Sequence, residues 1–391
     1  MSVIHAFDPS AEFESLSLEL QEGFRSWESE PGAWLPEQDE AFVRRTFRLQ
    51  YESSPPYRAY CERRRIAPSD VRSWRDIPPV PTAAFREIDL ALQGIREPEA
   101  VFRTSGTTRG RHRRGRHAIL DLELYRASLE ATFRSHVLDD ETKIRILSLV
   151  PSFAQTGDSS LGWMCDALIS QFGSEGSQSA AEAEGFSWSQ AAAFVERACA
   201  ERTPVCILAT TLAADTWLGH LAKTDERWTL PDGSRLMDTG GEKGRHGLAR
   251  AAVVDGLQRR LGIPPDLVIN EFGMTELLSQ RYSRPLPASR AGEPGESVRF
   301  HGPPWLRTRA LDPETLDELA EGELGVLCHF DLANLGSVCA VLTEDLGRVS
   351  GRTMEWVGRA PGAPPRGCSL AAADLLAAAE AGHHSKGALD A

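Results

Sequence analysis

The sequence predicts an α/β protein with largely parallel strands, and three observations lead there. Runs with strand character alternate with runs of helical spacing. The stretch 144–150 follows helical spacing over 120–137, 205–210 follows the helical stretch 188–201, and 267–270 follows 248–261. The composition is that of an ordinary globular chain, with 41% hydrophobic and 25% charged residues over 391 positions, enough for a large core and two or three compact units. Finally, the apolar pair Val101-Phe102 runs into a tight loop of hydroxyls and glycines, Thr104-Ser105-Gly106-Thr107-Thr108-Arg109-Gly110.

Taken in order, residues 10–70 carry Phe13, Leu16, Leu20 and Phe24, then Phe42, Phe47, Tyr51 and Tyr57, among charges, which predicts amphipathic helices broken at Pro31-Gly32. The triplet Arg63-Arg64-Arg65 reads as a solvated helix face. Prolines 78, 79 and 81 exclude a helix and predict an extended linker into the loop. Residues 173–185 are small and polar and read as a loop, whereas 321–330 reads as a turn entering a strand and 337–342 as another. The division expected is a helical region over 1–80, a core over 81–357 and a short tail over 358–391.

A formal charge of −13 excludes a general nucleic-acid or anionic-membrane binder, so the arginines at 109, 111, 113, 114 and 116 are a local exception. The first residues lack the charged segment and long apolar run of a signal peptide, and no run reaches membrane-spanning length, which predicts a cytoplasmic protein without a membrane span. The seven cysteines, at 61, 165, 199, 206, 328, 339 and 368, contain no C-x-x-C pair and suggest neither a disulfide framework nor a zinc site. Cys199, Cys206, Cys328 and Cys339 sit in apolar surroundings and read as small core residues. Lys243, His246, His329 and His383-His384 receive no role.

The loop at 104–110 is suited to phosphate. Glycines bring backbone N–H groups close to an anion, hydroxyls add donors, and the arginines that follow add charge. It is not a Walker A loop, which closes on Gly-Lys-Ser/Thr, because no lysine occurs in 90–142. Alone, it is equally a Ser/Thr-rich surface turn.

Further motifs fall in series behind it: Asp238-Thr239-Gly240-Gly241-Glu242-Lys243-Gly244, Asn270-Glu271-Phe272-Gly273-Met274-Thr275-Glu276, Leu342-Thr343-Glu344-Asp345-Leu346-Gly347 and Gly358-Arg359. Together with the loop, this series resembles the adenylate-forming superfamily, in which Arg109 stands where members carry Gly and Phe272 where they carry Tyr. The pairing of Ser159-Ser160-Leu161-Gly162-Trp163-Met164 with Arg366-Gly367-Cys368-Ser369-Leu370 is similar to the acyl-protein synthetase (long-chain-fatty-acid protein ligase) branch.

The resemblance implies the large N-terminal domain of an adenylate-forming enzyme with a truncated C-terminal segment. It also implies roles: Thr104, Ser105, Gly106, Thr107 and Thr108 hold the phosphates of ATP, with Arg109 or Arg111 adding charge. Gly240 and Gly241 lie against adenine, Phe272 stacks on it and Asn270 meets its exocyclic amine. Thr275 donates to the α-phosphate, Glu276 ligates Mg²⁺, and Asp345 accepts from the ribose with Arg359 nearby.

Only residues 360–391 follow Arg359, too few for the mobile domain with its catalytic lysine that acyl-CoA ligases carry. Lys386 lacks that lysine's context. Cys368 lies in this tail beside Arg366 and Gly367, and a nearby arginine lowers a thiol's pKa, so an acyl-AMP is expected to pass to Cys368 as a thioester. The implied activity is ATP-dependent activation of a carboxylic, in that family fatty, acid and its transfer to a protein cysteine, with an acyl-accepting partner such as a reductase. Two alternatives stay open: a ligase that gives the acyl group to CoA or a carrier-protein thiol, and a degenerate adenylation fold that only binds.

Overall fold

The computed structural model describes residues 7–30, 33–104, 114–138, 142–182, 185–240, 250–283, 299–360 and 365–387, the side chains of 36–37 and 381–387 excepted. In chain order the helices are α1 (Pro9–Ser29), α2 (Pro36–Ser53), α3 (Pro55–Arg63), α4 (Ala84–Glu87), α5 (Leu122–Phe133), α6 (Phe153–Thr156), α7 (Ser160–Phe172), α8 (Trp188–Glu201), α9 (Thr211–Thr224), α10 (Arg250–Leu261) and α11 (Arg366–Gly387). The strands are β1 (Val80–Pro81), β2 (Ala100–Arg103), β3 (Arg116–Ile119), β4 (Arg145–Ser148), β5 (Gln178–Ser179), β6 (Ala181–Glu182), β7 (Gly185–Phe186), β8 (Val205–Thr210), β9 (Arg235–Thr239) and β10 (Val268–Phe272). They continue with β11 (Arg281–Tyr282), β12 (Arg299–His301), β13 (Leu306–Leu311), β14 (Gly325–Asp331), β15 (Ala340–Ser350) and β16 (Thr353–Arg359).

These elements form two compact units drawn from discontinuous segments. One comprises 1–131, 274–279 and 302–391, the other 132–273 and 280–301. The expected boundaries at 80 and 357 both fall inside the first.

In the first unit, α1 buries the stripe Phe13, Leu16, Leu20 and Phe24 that its spacing predicts, and Asp8 caps its start by accepting from the Ser10 and Ala11 N–H groups. Phe24, Trp27 and Trp34 gather on Trp305, the Phe24 and Trp305 rings 4.0 Å apart. An antiparallel run β13-β14-β15-β16 forms the sheet of this unit, and the proline-rich stretch contributes β1, parallel to β15 at Val80↔Val341, before turning into α4. Proline tolerates such a short edge pairing because a strand at the rim needs few of its N–H groups. The residues after 365 are not a loose tail but the helix α11. It packs along α3, where Arg63 and Arg64 lie 3.7 and 3.6 Å from Asp374 instead of being merely solvated.

In the second unit, β5-β4-β8-β9-β10 run parallel and β11 and β12 continue the sheet antiparallel. The alternation read from the sequence is therefore real, and β8 spans the residues expected of it. The stretch 173–185 is less of a loop than expected, since it contains β5 and β6 and the first residue of β7. Leu147, Val205, Ile207, Trp217, Leu236 and Leu257 lie in one buried core between the sheet and α8, α9 and α10. Of the four cysteines expected in cores, Cys206, Cys328 and Cys339 are buried, whereas Cys199 is partly exposed with its thiol 3.5 Å from the Thr229 carbonyl. No described helix is long and apolar enough to cross a membrane.

Candidate active site

The phosphate-type loop is carried on the antiparallel β2-β3 hairpin. Ser105, Gly106, Thr107, Thr108, Arg109 and Arg111 lie outside the described residues, and so do Gly241, Lys243 and His246. The neck of the loop is described. The Thr104 N–H donates to the Gly115 carbonyl at 3.0 Å and the Gly115 N–H donates back to the Thr104 hydroxyl at 2.9 Å, while Arg114 ties down the Arg103 carbonyl. Thr104 thus closes the hairpin through its hydroxyl oxygen.

From β3, His117 reaches Thr275. Its Nδ1 lies 2.8 Å from the Thr275 carbonyl and its Nε2 2.9 Å from the Ser337 hydroxyl. A carbonyl can only accept, which places the proton on Nδ1 and leaves Nε2 to accept from serine. Burial depresses the imidazole pKa to about 4, so it is neutral at physiological pH.

The rest of the Met274–Ser279 segment is held with equal completeness. Asn334 donates to the Glu276 carbonyl at 2.7 Å. The buried Asp331 carboxylate accepts the Leu278 and Ser279 N–H groups, both at 2.9 Å, and the Ser279 hydroxyl at 2.7 Å. Behind it, Trp305 Nε1–H donates to Ser128, and Ser128 to Ser279, at 2.9 and 2.8 Å. Gln50 of α2 anchors the opposing turn, donating to the Asn334 carbonyl and accepting from the Cys339 N–H. An irregular segment with no ladder of its own is fixed in this way by side chains.

Asp345 and Arg359 are direct cross-strand partners on β15 and β16, with Nε and Oδ1 3.4 Å apart. The Asp345 N–H donates to the Thr343 hydroxyl at 3.0 Å, which sets the carboxylate at the strand bend. Cys368, in the first turn of α11, is 4% exposed, packs against Leu311, Val326, Cys328, Leu342 and Ala371, and donates its S–H to the Thr343 carbonyl at 3.4 Å. The expectation that Arg366 lowers this thiol's pKa is corrected: burial first, and Glu344 next, push it up to about 12.

In the second unit, Gly240 adopts a φ of +82°, a conformation that a side chain would strain. Asn270 pairs with Asp238 across the parallel strands β10 and β9. Gly273 closes on Glu271 so tightly that any Cβ there would strike the carboxylate. Glu271 in turn accepts from Thr239, and the Phe272 ring tilts against Phe300 at 5.7 Å.

Sequence reasoning missed His117, Asp331, Asn334 and Gln50. Each works through a partner distant in the sequence, and nothing local to it marked that role.

A mixed sheet flanked by helices and an immobilised Thr-Glu turn belong to the fold of an adenylate-forming enzyme. Among solved structures, 2-hydroxyisobutyryl-CoA ligase is similar: its open conformation in complex with 2-HIB-AMP and CoA gives a TM-score of 0.57 at 17% identity, over 83% of this chain and 75% of that one. Its postadenylation state in complex with 2-HIB-AMP gives 0.57 at 16%, over 83% and 68%.

In sequence, the chain is similar to the long-chain-fatty-acid–luciferin-component ligase of Aliivibrio fischeri, 37% identical over 90 residues, which are 21% of this chain and 24% of that protein. The Vibrio harveyi protein of the same name is 34% identical over 83 residues, 19% of this chain and 22% of its own length. The match spans less than a quarter of each of these relatives. No family model matches. The similarity bears out the resemblance to acyl-protein synthetases of the adenylate-forming superfamily.

Proposed function

We propose that this chain activates a carboxylic acid with ATP as acyl-AMP and passes the acyl group to the Cys368 thiol. A fatty acid is the acid suggested by the relatives' names, and an acyl-accepting protein such as a reductase is the downstream partner. The observation that carries the reading is the clamp on Met274–Ser279. His117 and Asn334 fix the carbonyls of Thr275 and Glu276, and Asp331 fixes the N–H groups that follow. Groups that stabilise developing charge act best when they need not reorganise during the reaction.

In the first step a carboxylate oxygen forms a bond to the α-phosphorus as the bond to pyrophosphate breaks. Thr275 donates to the phosphoryl oxygens and the loop at 104–108 holds the departing charge. In the second, the Cys368 thiol gives its proton to water, the resulting thiolate attacks the acyl carbonyl and AMP leaves with the bonding pair. A carboxylate on the clamped Met274–Ser279 segment is a hard oxygen donor of the kind Mg²⁺ takes, and the described residues contain no cluster of three His, Cys or acidic side chains. Glu276 alone would then hold the ion, with phosphate oxygens and water completing the shell, as this cation prefers. The ion supplies charge neutralisation on the phosphates.

The position of Cys368 favours the second step in one respect, since its sulfur touches β15 two residues from Asp345. Its burial and raised pKa favour a second reading, transfer to CoA or a carrier-protein thiol without the cysteine.

Acid-dependent exchange of labelled pyrophosphate into ATP, over a panel of aliphatic and aromatic acids, tests adenylation. Glu276→Ala should reduce the exchange at least ~100-fold. No exchange with any acid removes the proposal.

A further inference from the structure

A buried carboxylate in the second unit is committed to orienting one amide. Asp238 is 1% exposed and accepts from Arg250 Nη2 at 2.7 Å, and the Thr211 hydroxyl, 2.8 Å from its carboxylate and 2.6 Å from the Gly240 carbonyl, shares its one proton between the two acceptors. It also accepts from Asn270 twice: Nδ2 donates to the Asp238 backbone carbonyl at 3.0 Å and to its Oδ2 at 3.1 Å. An amide nitrogen has two hydrogens, and both are spent. The backbone of Asn270 is also satisfied, its N–H donating to the Ser283 hydroxyl and its carbonyl accepting from the Ser283 N–H. Among the described residues no donor faces Asn270 Oδ1. The side chain is partly exposed and stands on the strand beside Gly240, so what it offers a ligand is an acceptor only.

We infer that Asp238, held by Arg250 and Thr211, is a positioning residue that sets base selection by presenting Asn270 Oδ1 as a fixed acceptor, which admits a 6-aminopurine and rejects a 6-oxopurine. A 6-amino group donates to Oδ1, whereas a 6-oxo group sets one lone pair against another and leaves the acceptor unpaired. A freely rotating amide would turn its NH₂ to a 6-oxo base and discriminate little. Here, turning it costs both bonds to Asp238 and brings Oδ1 against a carboxylate. A site built on one hydrogen-bond polarity rejects the reverse polarity strongly. This inference rests on the adenylation reading for the presence of a purine nucleotide.

The test measures the affinities of the whole chain for ATP and for its 6-oxo analogue ITP by titration calorimetry. The wild type should prefer ATP at least ~10-fold. In Asp238→Asn the oxygen turns toward Arg250 and an NH₂ faces the Asn270 NH₂. Only the bond to the backbone carbonyl then holds the amide, and the preference should fall to within about threefold. A merely loosened site would weaken both nucleotides alike and leave the ratio unchanged. Should Asp238→Asn fail to fold, Asn270→Ala removes the acceptor directly and should collapse the same ratio. Equal wild-type affinities, or an unchanged ratio in the variants, overturn the inference while the adenylation reading stands. A wild type that binds neither nucleotide overturns both.

Discussion

Cys368 shows how far a side chain's surroundings change its chemistry. The thiol that the Arg-Gly-Cys pattern marks as a nucleophile is covered by Leu311, Val326, Leu342 and Ala371, and burial leaves it protonated. A thiol held near pKa 12 gains thiolate about tenfold per pH unit between 7 and 9, so acylation from the docked position should rise by that factor. A plateau near pH 8–9 would instead mean that the cysteine reacts from an exposed position with an ordinary pKa. In either case Cys368→Ser should keep pyrophosphate exchange and lose the hydroxylamine-sensitive adduct, which intact-mass measurement reads directly. Exchange together with undiminished acylation of the variant would transfer the role to another group. Asp345 poses a separate test. Its carboxylate faces Arg359 across the sheet, and Asp345→Ala should weaken ATP binding by about 1.5–3 kcal/mol if it also accepts from the ribose hydroxyls. Unchanged affinity would reduce it to a structural partner of Arg359.

At the scale of elements, α7 illustrates why its opening Ser-Ser-Leu-Gly-Trp-Met reads as it does. Ser159 caps the helix by accepting from the Gly162 N–H, and Gly162 lies against the turn before α6. A Cβ there would stand 2.7 Å from the Pro151 carbonyl and 3.2 Å from the Phe153 nitrogen, backbone atoms that cannot swing away. Gly162→Ala should therefore destabilise the protein by about 1–3 kcal/mol despite the better helix propensity of alanine, as a shift in the urea midpoint would show. The glycine itself was visible in the sequence. That it is required by contact with a preceding turn, rather than by a positive φ, was not.

For the whole molecule, the buried histidines make stability depend on pH in each unit. His117 in the first unit and His136 in the second are both depressed from the usual 6.5 to about 4, in each case chiefly by burial. The unfolded chain then binds more protons than the folded one between these values, so stability is complete above pH 6.5 and falls as the pH drops toward 4. Each histidine accounts for roughly 3 kcal/mol across that window. Asp331, whose carboxyl burial pushes up, titrates in the opposite sense, so the differential measurement is the informative one. Denaturant midpoints for the wild type and His117→Asn, taken from pH 7.5 to 4.5, should converge on acidification, because the variant lacks one of the titrating groups. Parallel curves would show that His117 does not titrate on unfolding.

The sequence by itself determined the alternation of helices and strands, the buried stripe of α1 and the order of the motifs from Thr104 to Arg359. These depend on local spacing and residue type, which a one-dimensional reading retains. Only the tertiary structure decided that α11 buries Cys368, that Asp345 faces Arg359, and that His117, Asp331, Asn334 and Asp238 hold the motif residues in place. The physical reason is that a hydrogen bond or a desolvated thiol is a property of two surfaces brought together. Partners such as His117 and Thr275, 158 positions apart, leave no trace in the spacing of either.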